Sequence, residues 1–308
     1  MGWKREAARW GLRAAAGVVT PSGLYTIVRA ISGGKRNRMV DLMIYGPMPT
    51  LRRRMLAPIG GPLAGQRMWL DPGEEIQHAI FFQGIYEPHV TAWVLERLRP
   101  GGVFVDVGAH VGYYTLMAAA RVGPRGAVVA FEPVHSAALH THVKLNGWHN
   151  VTVCAEAVAD RTGSLTMGLS PPGNTGMNSA VQPGRFERCI EVPAVRLADR
   201  LAGLGVTHVD LLKIDVEGFE FDVLRSGAVL LESADGPDLA FELTPEYLAG
   251  AGHSASQLLA WLAACGYRMA AILESGPPDS LTYRLADVFA LARETRQVNV
   301  VATKGEGP

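Results

Sequence analysis

Two clusters of carboxylates and glycines have the spacing for chemistry. The first is Val103-Phe104-Val105-Asp106-Val107-Gly108-Ala109-His110-Val111-Gly112-Tyr113-Tyr114. Its first five residues are apolar except for Asp106, which stands two residues before the first glycine. That order predicts a buried strand entering a glycine turn that opens a helix. Such a turn aims backbone N–H groups and the positive end of a helix at a ligand. A second apolar run, Ala127-Val128-Val129-Ala130-Phe131, ends at Glu132. A carboxylate there can accept hydrogen bonds from the hydroxyls of a ribose. Together these features predict a site for a nucleoside-bearing cofactor.

The turn narrows the choice of cofactor. A dinucleotide fingerprint reads G-x-G-x-x-G, whereas Gly108-Ala109-His110-Val111-Gly112 lacks the middle glycine. That glycine lets the backbone approach a pyrophosphate. Ala109 or His110 in its place disfavours NAD and FAD. Asp106 argues the same way, since a carboxylate at the strand end repels a pyrophosphate and suits a cation. S-adenosylmethionine has no phosphate and carries both an ammonium and a sulfonium, so it matches the pattern better. A plain strand–turn–helix that binds nothing is the bland alternative.

The second cluster is Asp210-Leu211-Leu212-Lys213-Ile214-Asp215-Val216-Glu217-Gly218-Phe219-Glu220. In open α/β sheets ligands bind at the carboxyl ends of the strands. Asp215, at a strand tip, and Glu217, in the first turn of the next helix, are therefore expected to face the cleft. Glu220 lies one helical turn beyond Glu217. For Glu217 and Glu220 the competing reading is a favourable interaction with the helix dipole alone.

These residues need a scaffold, and the pattern around them supplies one. Strands are predicted at 103–107, 128–131, 151–155, 209–214, 239–243, 267–272 and 297–302. Helices are predicted at 111–121, 136–146, from near 217 to 231, and at 254–265, with an earlier helix starting at Glu87-Pro88. Repeated β–α units predict an α/β fold with a mostly parallel sheet and helices on both faces. Runs at 164–167 and 190–195 read as strands of an insertion near 164–195, joined by a loop rich in turn formers at 170–179. Residues 1–67 read as a helical or irregular extension, followed by one domain over 68–308. The extension holds the basic clusters Lys35-Arg36-Asn37-Arg38 and Arg52-Arg53-Arg54, read as solvated faces. Trp3, Ala7, Trp10 and Ala14 share one helical face, suited to packing on its own domain or to peripheral membrane contact.

Composition excludes several classes. The 308 residues carry 48% hydrophobic and 19% charged residues, enough for a sizeable core, and zero net charge. No global field draws nucleic acid. Cys154, Cys189 and Cys265 are widely spaced and odd in number, which predicts reduced thiols in a cytoplasmic protein. No apolar run is long enough for a transmembrane helix. The N-terminus lacks an uninterrupted apolar core, so no secretory signal is expected.

The chain resembles the FkbM family of S-adenosylmethionine-dependent methyltransferases. The matching pieces are Gly84-Ile85-Tyr86-Glu87-Pro88, Asp106 through Thr115, Phe131-Glu132-Pro133, Asn146, Lys213-Ile214-Asp215-Val216-Glu217-Gly218, Glu242 and Asn299. They run in the family's order from about residue 84 to 303. The resemblance implies a Rossmann-like class I methyltransferase fold, with seven strands and the last one antiparallel. It implies methyl transfer, mostly to hydroxyl oxygens of sugars or natural products. A small-molecule or carbohydrate acceptor follows. His110 departs from the family, where many members have Asn.

On this reading Asp106 and Gly108 border the methionine portion, with His110, Gly112 and Tyr114 in the same turn. Glu132 holds the ribose, Glu156 and Ala157 the adenine edge, and Glu87 reaches the amino end. Asp215 is the first candidate beside the reacting methyl, with Glu217, Glu242 and His135 behind it. Asp215, Glu217 and Glu242 could instead surround a divalent cation that orients and acidifies the acceptor hydroxyl. The loop at 170–186 is expected to cover the acceptor pocket, with Ser179 as a contact. Competing functions are an NAD-dependent oxidoreductase, a methyltransferase acting on protein, and a catalytically silent binding domain. Nucleic acid is disfavoured by the charge balance.

Overall fold

The structure, a computed structural model, describes residues 54–171, 173–276, 281–294 and 297–305. The amphipathic face at 3–14, the basic cluster at 35–38, and Arg52 and Arg53 lie outside the described residues. Two compact units meet in the sequence between Tyr86 and Glu87, later than the boundary at 67–68 suggested by the pattern. In the first unit, β1 (Met55–Pro58) pairs antiparallel with β2 (Arg67–Leu70). Helix α1 (Glu75–Gln83) follows and ends at Gly84, whose φ of 75° is left-handed.

The second unit begins with α2 (Pro88–Arg97), β3 (Val103–Val107), α3 (Tyr113–Val122), β4 (Ala127–Phe131), α4 (Ser136–Leu145) and β5 (Val151–Cys154). An insertion gives β6 (Ala157–Val158), β7 (Gly163–Leu169) and β8 (Arg188–Val195). Then come α5 (Leu197–Gly203), β9 (Leu211–Ile214), α6 (Glu220–Ser226), α7 (Ala228–Leu231), β10 (Asp238–Leu243) and α8 (Pro245–Gly250). The last elements are α9 (Ala255–Ala264), β11 (Tyr267–Glu274), β12 (Tyr283–Ala286), α10 (Val288–Glu294) and β13 (Val298–Lys304).

The main sheet has the order β12-β11-β13-β10-β9-β3-β4-β5. Strands β5, β4, β3, β9 and β10 are parallel, and β13 runs antiparallel between β10 and β11. The fold is thus the expected doubly covered α/β sheet with its last strand reversed. It has eight strands rather than seven, because β12 folds back antiparallel along β11. The smaller sheet of the insertion has the order β6-β8-β7 around Leu165, Val192 and Ala194.

Strand alternation decides what each face of the main sheet does. Val105, Val107, Leu212, Ile214 and Phe241 point to one side and pack with Phe221 and Leu224 of α6 and Leu258 of α9. The alternate residues face α2 and α3. Among them are Asp106 and Lys213, direct partners in the β3–β9 register. Lys213 in turn lies opposite Ala240 of β10. Two positions on from Ala240, Glu242 faces Asn299 of β13. A polar row therefore crosses an otherwise apolar sheet. Glu217 does not begin the helix after β9, as its sequence suggested. It stands in a left-handed turn at φ 53°, followed by Gly218 at φ 107°, and α6 starts only at Glu220. Gly218 makes that turn possible, since a Cβ there would lie 2.8 Å from the Cβ of Tyr247.

Candidate active site

The carboxyl ends of β3, β4 and β9 line an open cleft. Gly108, His110, Glu132, Glu156, Ala157 and Asp215 line it, all of them expected from sequence. Gly108 sits at φ 85°, and a Cβ on it would fall 1.8 Å from the carbonyl oxygen of Asp215. Only glycine lets these two strand tips meet. His110 is left-handed at φ 49°, which turns its backbone N–H toward Glu132 Oε2 at 2.8 Å. Glu132 Oε1 accepts from the N–H groups of Val134 at 2.7 Å and His135 at 2.8 Å. The Glu132 carboxylate is thereby fixed by three backbone donors at the entry to α4. At the far end Arg200 Nε donates to Glu156 Oε2 at 3.2 Å.

The insertion supplies the walls that sequence reasoning missed, Leu165, Met167, Thr175 and Asn178 among them. Two histidines tie that wall down. His110 Nε2 lies 3.3 Å from Thr175 Oγ1, and His135 Nε2 lies 3.2 Å from Asn178 Nδ2. Their rings meet edge to face at 4.7 Å. Burial, with His135 alongside, pushes the His110 imidazole down to about 3, so it is neutral. His135 thus contributes to the cleft as a wall residue.

Four expected contacts fall outside this cleft. Asp106 is fully buried and faces α3, where the Thr115 hydroxyl donates to its Oδ2 at 2.6 Å. Burial holds its carboxyl above the usual range, with Lys213 pulling the other way. It braces the turn from beneath and does not line the cleft. Gly112 precedes α3, and Tyr114 points away from the cleft to donate its hydroxyl to Glu87 Oε2 at 3.0 Å. Glu87 also accepts from Asn299 Nδ2 at 3.2 Å, and burial raises its carboxyl against the pull of Lys213. Tyr114 and Glu87 therefore belong to the polar row of the sheet.

Lys213 organises that row. Its Nζ donates to Asp215 Oδ2 at 3.0 Å and lies 4.6 Å from the centre of the Tyr114 ring. Burial alone would lower its pKa, but Asp215, Asp106 and Glu87 together hold the ammonium above its usual value. Glu242 lies beyond, with Thr244 Oγ1 donating at 2.8 Å and Gln297 Nε2 at 2.7 Å. Burial, then Asp215, pushes Glu242 up to about 7. Among the described residues no group of three or more His, Cys, Asp or Glu is arranged to hold a metal ion.

Glu217 opens on a second cleft, lined also by Asn174, Met177, Arg185, Phe186 and Tyr247. Its backbone carbonyl accepts from Ser179 Oγ at 2.8 Å. Burial, then Asp215, Glu242 and Glu220, pushes its carboxyl up to about 9. The segment 174–180 is the wall shared by the two clefts. Glu220 is buried and accepts from the Gly218 N–H at 3.0 Å, a structural role at the start of α6.

Comparison with known proteins bears on this arrangement. The profile described as "Methyltransferase FkbM domain" matches residues 106–269, just over half of the chain. "31-O-demethyl-FK506 methyltransferase FkbM" of Streptomyces tacrolimicus is 34% identical over 173 residues, covering 46% of this chain and 64% of that protein. "Methyltransferase 1" of Beauveria bassiana is 30% identical over 142 residues, covering 39% of this chain and 56% of that protein. The matched part is thus less than two thirds of either relative. Solved structures that align include precorrin-6y C5,15-methyltransferase from Geobacter metallireducens, at 14% identity and TM-score 0.40 over 71% of this chain and 91% of that one. Another is Aeropyrum pernix fibrillarin with natively bound S-adenosyl-L-methionine, at 14% identity and TM-score 0.40 over 69% and 73%. With the glycine turn, Glu132 and Asp215 lining one cleft within the matched residues, the chain belongs to the FkbM methyltransferase domain family.

Proposed function

We propose that the protein transfers a methyl group from S-adenosylmethionine to a hydroxyl oxygen of a sugar or natural product. One observation carries this reading: Glu132 and Asp215 line a single cleft, with the Gly108 turn between their strands. The donor set fits the cofactor. Glu132 offers a remaining lone pair on Oε2 to a ribose hydroxyl. In the Gly108 turn the N–H groups of Gly108 and Ala109 both donate to the Phe131 carbonyl, at 3.0 and 3.1 Å, which ties the turn to the tip of β4, and Glu156 and Ala157 border the end suited to adenine. His110 Nδ1 is buried without a hydrogen-bond partner among the described residues. Bound here, S-adenosylmethionine would supply an electrophilic methyl on a cationic sulfur.

The chain's own residues then orient and deprotonate. Asp215 is held by Lys213 with one oxygen engaged, leaving the other to accept the hydroxyl proton. Such general-base help is worth on the order of 10²–10⁴-fold, and positioning supplies much of the rest. In this reading the acceptor hydroxyl enters the cofactor cleft beside Asp215, and the second cleft across the 174–180 segment, with Ser179 and Glu217 on its rim, takes the remainder of the acceptor. The name of the Streptomyces relative, which specifies an O-demethyl compound, supports an oxygen acceptor. The free cysteines accord with a cytoplasmic setting. Among the described residues, no helix is long and apolar enough to cross a membrane.

Calorimetry with S-adenosylhomocysteine tests the cofactor, and tritiated-methyl transfer into fractionated cell extract, followed by mass spectrometry, tests the acceptor. Saturable binding and a labelled hydroxyl compound are expected. Thermal stabilisation by NAD but not by S-adenosylhomocysteine would overturn the reading.

A further inference from the structure

Asp215 faces two spaces, and only one of them is the cofactor cleft. The other is a small polar cavity lined by Glu87, Lys213, Asp215, Glu242 and Asn299. It is of a size to hold about one water molecule. Sheet register explains why these groups meet. The last β9–β10 pair is Ile214 with Phe241. One step further, the same register sets Asp215 alongside Glu242, both on the Lys213 face. Past Glu242 the path reaches solvent, because Gln297, which donates to Glu242 Oε2, is exposed.

We propose that this cavity is the exit for the proton released by methyl transfer. The inference rests on the methyl-transfer reading above. As the acceptor oxygen bonds to the methyl carbon, the carbon–sulfur bond breaks and its electron pair stays on sulfur. The acceptor's O–H bond breaks and its proton goes to Asp215 on the cleft side. From Asp215 it passes through the cavity to Glu242 and out to solvent at Gln297, restoring the Asp215 carboxylate. One proton leaves per turnover, and no other reactant is needed. Glu242 acts through Asp215 and touches neither methyl nor acceptor.

Several features make Glu242 suited to this. Both of its oxygens accept hydrogen bonds, from Thr244 and Gln297, so its charged form is supported. The carboxylates around it are Asp215, Glu87, Glu217 and Glu220, with Tyr247 nearby, and Lys213 is the opposing cation. Burial first, and these charges after it, set its proton affinity at about 7, where uptake and release are both ready.

The test has two arms. Carbon-13 NMR of glutamate-labelled protein, with Glu242 assigned by its loss in Glu242→Gln, should show a titration near neutral pH. Asp215→Asn, which removes a facing negative charge, should move that titration to lower pH. A midpoint at the ordinary glutamate value, or one indifferent to Asp215→Asn, overturns the route. In the second arm, the acceptor labelled from extract is used with wild type, Glu242→Gln, Glu242→Asp and Glu242→Ala. Glu242→Gln should lower kcat about tenfold or more while calorimetric affinity for S-adenosylhomocysteine holds. Glu242→Asp should keep part of the rate, and formate should restore part of it to Glu242→Ala. Unchanged kcat and an unchanged pH profile in Glu242→Gln overturn the route. Absence of turnover in wild type sinks the methyl-transfer reading, while the NMR arm still decides whether Glu242 couples to Asp215.

Discussion

Glu132 and Glu217 follow the tips of β4 and β9, the two strands that flank β3. They have the same side chain and the same edge of the sheet, yet opposite surroundings. Glu132 collects three backbone N–H donors and sits at the start of α4, where the helix dipole favours a negative charge. Glu217 collects carboxylates, namely Asp215, Glu242 and Glu220, and burial with these pushes it up to about 9. Glu132 is a fixed acceptor of hydrogen bonds, while Glu217 holds a proton at neutral pH. Position at the carboxyl edge therefore selects neither role. Backbone direction does, since His110 turns its N–H toward Glu132 while the left-handed turn at Glu217 leaves its carboxyl among like charges.

The largest expected effect tests the group between the two. Asp215→Asn should lower kcat by about 10²–10⁴, with affinity for S-adenosylhomocysteine changed only a few-fold in calorimetry. A wild-type turnover number would remove Asp215 from the reacting centre. Next comes Glu132→Ala, which strands donors that now share one carboxylate. At roughly 1–3 kcal/mol for each donor that water cannot reach, it should lower the melting temperature and weaken S-adenosylhomocysteine binding together. Intact binding would show that Glu132 serves the turn alone.

Glu217→Gln should act in the opposite direction. The folded value, about 9, lies above the ordinary 4.5, so the folded state holds a proton that the unfolded chain has lost. The stability Glu217 contributes is complete below about 4.5 and drains away as pH rises through 9. The neutral amide is free of this loss. Glu217→Gln should therefore melt with wild type near pH 4.5 and above it at pH 8–9. Identical melting at both ends would erase the contrast with Glu132. The smallest effect is Ser179→Ala, which removes the hydrogen bond to the Glu217 carbonyl and should cost about 1 kcal/mol. Denaturant titration would detect it, and S-adenosylhomocysteine affinity should stay unchanged.

Much of the scaffold was legible because it is local. Each parallel strand is a short apolar run, and Glu132, Glu156 and Asp215 each follow such a run closely. The surroundings of Asp106 are not local. Its partners are Thr115 on the next helix and Lys213 across the register, so a residue that reads as a strand-end carboxylate is sealed under α3. Glu217 was read into the helix although Gly218 behind it signalled a turn. The contacts of Met167, Thr175 and Asn178 depend on how the insertion folds over the cleft, and no spacing in their own segment encodes that. Strand β12 is short, and only pairing with β11 makes it a strand.

The contact of Gly108 with the Asp215 carbonyl has a consequence for how such a protein diversifies. A Cβ would leave only 1.8 Å between them, so the two strand tips are keyed to each other by main chain alone. A ligand on the Gly108 turn would be indexed to Asp215 by this main-chain contact. Changes in the insertion can reshape the cleft wall it supplies while this main-chain contact between β3 and β9 stays in place.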